Sequence, residues 1–174
     1  MINLDEILEV LLYILPAAIT GAIAFNFFKS FLANEEKRRR YSLMKENQKQ
    51  ALPIRLQAYE RLTLFLERIN PAKLLVRIAP LSNEKLDYCN LLIQHIEQEF
   101  DHNIAQQIYI SDATWTIILT AKNTTIQIIR QHTANTSVSD AQSLREAILN
   151  SLATSDAPSN FALSFLKKEV ADTI

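Results

Sequence analysis

VLLYILPAAITGAIAFNFF, residues 10–28, is the stretch on which the reading of this chain turns. Its nineteen residues carry no charge, and only Thr20 and Asn26 are clearly polar. As a helix rising about 1.5 Å per residue it reaches roughly 28 Å, close to the ~30 Å hydrocarbon thickness of a bilayer. One membrane crossing is therefore predicted. A secretory signal would open with a basic region, whereas Asp5, Glu6 and Glu9 are the charged side chains before the stretch, and the apolar run continues past Ala22 to Ala24. An uncleaved anchor is expected. Pro16 and Gly21 fit this, because both residue types are more frequent in transmembrane helices than in soluble ones. A mild kink at Pro16 is expected. The alternative, a buried core helix of a soluble protein, fits less well with the KRRR that follows shortly after.

Charge is distributed unevenly around this segment, although the whole chain sums to −1. From Lys29 to Gln50 there are seven basic residues, namely Lys29, Lys37, Arg38, Arg39, Arg40, Lys45 and Lys49. They face Glu35, Glu36 and Glu46, leaving +4, whereas residues 51–174 sum to −2. The positive-inside rule then puts residues 1–9 outside and the chain from about residue 30 in the cytoplasm. Residues 29–51 are polar and rich in helix formers, so a helical juxtamembrane stalk is expected, with Lys37, Arg38, Arg39 and Arg40 near anionic headgroups. The simpler role for these charges is as a topology determinant on a solvated helix.

Residues 52–174 are long enough for one domain with its own core. The single glycine, Gly21, lies in the apolar stretch, so phosphate-cradling loops, dinucleotide fingerprints and primed hairpin turns have no glycine to build on. Well-separated prolines punctuate helices instead. Pro53 suits a first helical turn, with Tyr59, Leu62, Phe65, Leu66 and Ile69 forming an apolar stripe to residue 69. Asn70 and Pro71 read as an N-cap and first helical position, opening a short helix that ends before Pro80. A helix from about Asn83 should bury Leu86, Cys89, Ile93, Ile96, Phe100 and Ile104. Ser111, followed by Asp112, caps the next, where Trp115, Ile118, Ile126 and Ile129 share a face. Its β-branched residues make a strand conceivable, but no glycine turn offers a partner strand. TANTSVS, residues 133–139, is a polar loop, and Ser137 with Asp140 resembles a capping pair before AQSLREAILNSLA. A last helix runs from about Ser159 to Val170. The expected fold is all-α: one N-terminal transmembrane helix, a stalk, and a cytoplasmic bundle of four or five helices.

The best constellation for chemistry is HIEQEFDH, residues 95–102. His95, Glu99 and His102 follow one another on a helical strip, and two histidines with a carboxylate are sensible ligands for zinc or iron. On the stripe assumed above, this strip points away from the core, and the second E-x-x-H of a di-iron bundle is missing. A solvated or interface-facing strip is the stronger expectation. Cys89, the lone cysteine, sits on the core stripe as a small hydrophobe and excludes an internal disulfide. His132 has no motif linking it to a nucleophile, and Glu97 with Asp101 is an ordinary surface pair. A domain summing to −2 does not suit nucleic acid. No cofactor motif is present.

ALPIRLQAYERLTLFLERINPAKLLVRI (51–78), LLIQHIEQEFDHNIAQQIYIS (91–111) and ILPAAITG (14–21) ahead of EEKRRR (35–40) together resemble an uncharacterised family of small single-span membrane proteins from Bacteroidota. The resemblance covers most of the chain and weakens after about residue 134. It implies a Gram-negative envelope, with the N-terminus in the periplasm and the anchor in the inner membrane, and it brings no activity, cofactor or catalytic residue.

Together these readings favour a membrane-anchored protein-interaction module or accessory subunit. Its partners would be the bilayer and another membrane or cytoplasmic protein, or further copies of the chain through the stalk. The competing reading is a membrane-tethered metal-dependent enzyme using His95, Glu99 and His102.

Overall fold

The computed structural model describes the backbone of residues 4–153 and 155–173. Residues 1–3 of the expected extracytoplasmic segment lie outside the described residues, as do the side chains of Val10 and Leu11 at the start of the apolar stretch. Among the described residues the chain is all-helical, with no strand. Its elements are α1 (Leu4–Ile69), α2 (Pro71–Arg77), α3 (Lys85–Asp101), a 3-10 helix (Ile104–Tyr109), α4 (Asp112–Ala134), α5 (Ala141–Leu152) and α6 (Pro158–Thr173). Two compact units divide between Ala51 and Leu52, and α1 contributes to both.

In the first unit α1 is long and apolar enough to cross a membrane by length and composition. Its large apolar side chains between Leu12 and Phe28 are 49 to 80% exposed. The two polar side chains within the stretch are satisfied by the helix itself: the Thr20 hydroxyl donates to the Pro16 carbonyl at 2.7 Å, and the Asn26 amide to the Ala22 carbonyl at 3.0 Å. Such bonding back to the preceding turn removes the penalty a free polar group would bring to an apolar surrounding.

Pro53 does not open a helix as its residue type suggested; it lies inside α1. A proline there deletes the bond from its own nitrogen to the Lys49 carbonyl. Lys49 is exposed, so water can take the missing donor's place.

Among the described residues the second unit holds the end of α1, all of α2 to α6 and the 3-10 helix, the seven-residue α2 being the shortest of its α-helices. The α1 stripe behaves as its spacing requires, with Tyr59, Leu62, Phe65, Leu66 and Ile69 all buried. Asn70 ends α1 and caps α2, its Oδ1 accepting from the Ala72 amide at 3.1 Å with Pro71 at the first helical position. In α3 the buried face is Tyr88, Cys89, Leu92 and Ile96, while Leu86 and Ile104 are exposed. That face lies roughly 60° from the one read off the sequence, at 100° per residue. The Tyr88 hydroxyl donates to the Ile78 carbonyl at 2.8 Å, which allows a tyrosine at a core position.

Helix α4 packs against α3, α5 and α6. It buries Ile118, Ile126 and Ile129 as its periodicity requires, with Trp115 partly buried against the same core. Tertiary burial overrides the weak helix propensity of its β-branched residues. The cap of α5 falls three residues later than the Ser137 pairing suggested. Asp140 accepts from the Ser143 amide at 2.7 Å, and the Ser143 hydroxyl closes the box on the Asp140 amide at 3.0 Å. Ser137 instead lies in a turn bonded to the Asn135 side chain. Hydrogen bonds from Ser143 hold the Asp140 carboxyl below the usual aspartate range. Asp140→Ala is expected to lower stability, since the Ser143 amide loses its cap, read as a drop in melting temperature of the full chain in detergent.

Candidate functional site

Two carboxylates of the second unit are drawn into dense polar networks, and neither is held as a free ligand. Glu169, on α6, meets the first turn of α4. Ser111 is the N-cap there, its hydroxyl oxygen accepting from the Thr114 amide at 3.2 Å. The Glu169 carboxylate accepts from the Ser111 amide at 3.0 Å, the Ser111 hydroxyl at 2.7 Å and the Tyr59 hydroxyl at 2.9 Å, and also from the Thr114 hydroxyl. A helix N-terminus favours an anion, since its first amides lack intrahelical acceptors. Arg55 backs the arrangement, donating to the Tyr59 oxygen at 3.0 Å and to the Tyr109 carbonyl at 3.2 Å, with its guanidinium 5.8 Å from the Tyr59 ring centre. Burial alone would raise the Glu169 carboxyl, but the bonds from Thr114, Ser111 and Tyr59 outweigh it and hold the group below the usual range. A carboxylate so committed ties α1, α4 and α6 together and is a poor general base at neutral pH.

Glu99 belongs to the candidate metal strip, and the rotated face of α3 explains its surroundings. Its side chain is 14% exposed. Arg68 of α1 donates to both carboxylate oxygens at 2.9 and 3.1 Å, and Arg77 of α2 to one of them at 3.1 Å. Burial pushes this carboxyl up, but the hydrogen bonds and charges of the two arginines overcome it and lower it on balance. His95 is half-buried and His102 exposed at the end of α3. Among the described residues, no three His, Cys, Asp or Glu side chains are grouped to hold a metal ion. The strip expected to face solvent thus has its central member turned to two neighbouring helices. Cys89 is buried and free, and His132 is half-buried in the last turn of α4.

Sequence reasoning missed Lys122. Its ammonium donates to Glu97 at 2.6 Å and stands 4.4 Å from the centre of the Phe100 ring, although the residue is almost fully buried. Phe100 in turn stacks on Trp115 at 5.6 Å and meets Phe65 at 6.0 Å. A sequence signal existed: Lys122 lies four residues from both Ile118 and Ile126, within the apolar stripe, where a long stem can be buried while its charge finds a carboxylate and a ring. Glu97, read as a surface residue, is that carboxylate.

These features define an all-helical protein with an uncovered apolar N-terminal helix and a packed helical unit whose polar clusters are internally paired. A family of unknown function (DUF7935) matches residues 5–173, and the chain belongs to it. The match continues through the last helices, where the resemblance seen in the sequence weakens. No curated protein and no solved structure matches.

Proposed function

We propose that this protein is a single-span membrane protein whose helical unit serves as an interaction module or accessory subunit on the cytoplasmic side. The observation that carries the reading is the uncovered apolar face of α1. A run of large apolar side chains from Leu12 to Phe28 is exposed along the first unit's part of α1. A soluble monomer rarely leaves so large a contiguous apolar surface in water. Self-satisfied Thr20 and Asn26 support it, because a helix in lipid must pair its polar groups internally. The orientation, with the N-terminus outside, rests on the basic residues that follow the segment, and the inner membrane of an envelope rests on the resemblance to membrane proteins of Bacteroidota.

An interaction role is favoured by the second unit itself. Its polar clusters are closed on themselves, while Val76, Leu81, Leu86, Ile108 and Phe161 are exposed by more than 60%. Confinement to a membrane raises the effective concentration of such a surface toward any partner in that membrane. The test is purification of the tagged chain from its own membranes in mild detergent, with mass spectrometry of what accompanies it. A reproducible stoichiometric protein supports the module reading. A chain released by alkaline carbonate would remove the membrane reading, and a lone chain carrying stoichiometric metal would replace the module with an enzyme.

A further inference from the structure

We infer that Lys37, Arg38, Arg39 and Arg40 form a collar that binds the headgroups of anionic phospholipids; the inference rests on the membrane-spanning reading of α1. Four successive residues at about 100° each place their side chains all the way round a helix. All four are exposed on α1. Among the described residues, none of them takes part in an ion pair. A protein partner approaching from one side would be met by a stripe, with charges three, four or seven residues apart. A ring of charge at one level suits a planar layer that surrounds the helix on every side.

Height along the helix agrees. The last exposed large apolar side chains before the collar are Phe31 and Leu32. Lys37 follows Leu32 by about 7.5 Å of helix and Arg40 by about 12 Å. The headgroup layer occupies roughly the first 5 to 8 Å beyond the hydrocarbon on each side. Side chains on a helix lean toward its N-terminus, which here is the side of the apolar segment. The long basic stems therefore tilt back toward the phosphate level. Guanidinium groups add paired donors that match phosphate oxygens. Glu35 and Glu36 are exposed at the lower edge of the collar. They fall within about 100° of one another on the wheel, leaving the arc from Arg40 through Lys37 to Arg38 free of acid.

The experiment reconstitutes the full chain into vesicles of phosphatidylcholine containing about a third phosphatidylglycerol. Spin-labelled phosphatidylglycerol and phosphatidylcholine then report which lipid occupies the protein's boundary. About a fivefold preference for phosphatidylglycerol is expected, falling severalfold at high salt. Lys37→Gln, Arg38→Gln, Arg39→Gln and Arg40→Gln together should abolish it, whereas Lys167→Gln with Lys168→Gln, on exposed positions of α6, should leave it intact. A carbonate-resistant chain with no preference overturns the collar and leaves the span standing. A preference that persists in the fourfold variant also overturns it. A chain that does not enter the vesicles overturns the span and the collar together.

Discussion

Replacing Glu169 with alanine is expected to lower the stability of the Leu52–Ile174 unit by about 3 kcal/mol, equivalent to a fall of roughly 10 °C in melting temperature. The size follows from what is left behind. Thr114 is fully buried and Tyr59 nearly so, and both donate to this carboxylate. A buried donor stripped of its acceptor carries its desolvation penalty uncompensated. Tyr59→Phe removes one donor together with its hydroxyl, so its cost should be about 1 kcal/mol. The pH dependence has a fixed sign. Glu169 and Glu99 both have folded-state carboxyls held below the ordinary value, so their contribution is complete above the unfolded glutamate range near about 4.3. It fades as the pH falls from there through the folded values. The gap between wild type and Glu169→Ala should therefore be full at pH 7 and close on acidification. Melting curves that coincide at pH 7 would show that Glu169 does not tie α6 to α1 and α4.

Glu169 also shows where sequence reading stops. Three helices of the second unit are announced locally: α2 by Asn70 with Pro71, α4 by Ser111 at its cap, and α6 by Pro158 at its start. Capping and proline chemistry act within a few residues, so they survive in a linear reading. The partners of Glu169 are 110, 58 and 55 residues away, and no local rule brings them together. Helix phase fails for a related reason. Leu86 and Ile104 have the right composition for the α3 stripe, yet they stand at its ends, where no neighbouring element covers them. Tyr88 and Leu92 take the buried positions instead, and that turn of the helix brings Glu99 against Arg68 and Arg77.

Pro53 illustrates the opposite limit. Its residue type favours a helix start, yet α1 runs through it. Strong helix formers on either side, from Glu46 to Gln50 and from Arg55 to Ala58, outweigh one deleted hydrogen bond. Local propensity is a sum over the whole window, and a single breaker sets a boundary only when its surroundings agree.

The second large effect concerns the apolar segment. Ile19→Lys combined with Ile23→Lys is expected to shift the chain from carbonate-resistant membrane fractions to soluble or aggregated ones. Each lysine near the centre of a span opposes insertion by about 2.5 to 3.5 kcal/mol, and each isoleucine removed forfeits about half a kilocalorie more. The pair therefore adds roughly 6 to 8 kcal/mol, about four to six orders of magnitude in the partition. Leucine at the same two positions should leave the distribution unchanged. The two readings of α1 predict opposite behaviour here, because Ile19 and Ile23 are 51 and 65% exposed. On a helix standing in water, lysine at such positions is worth within about half a kilocalorie of isoleucine and improves solubility. In lipid the same exposure places each charge against hydrocarbon. Both residues lie in the first unit, away from the Leu52–Ile174 core, so melting of the second unit serves as the control for folding. A double variant that still resists carbonate, with the second unit melting as in wild type, would show that residues 10–28 do not hold the protein in the membrane.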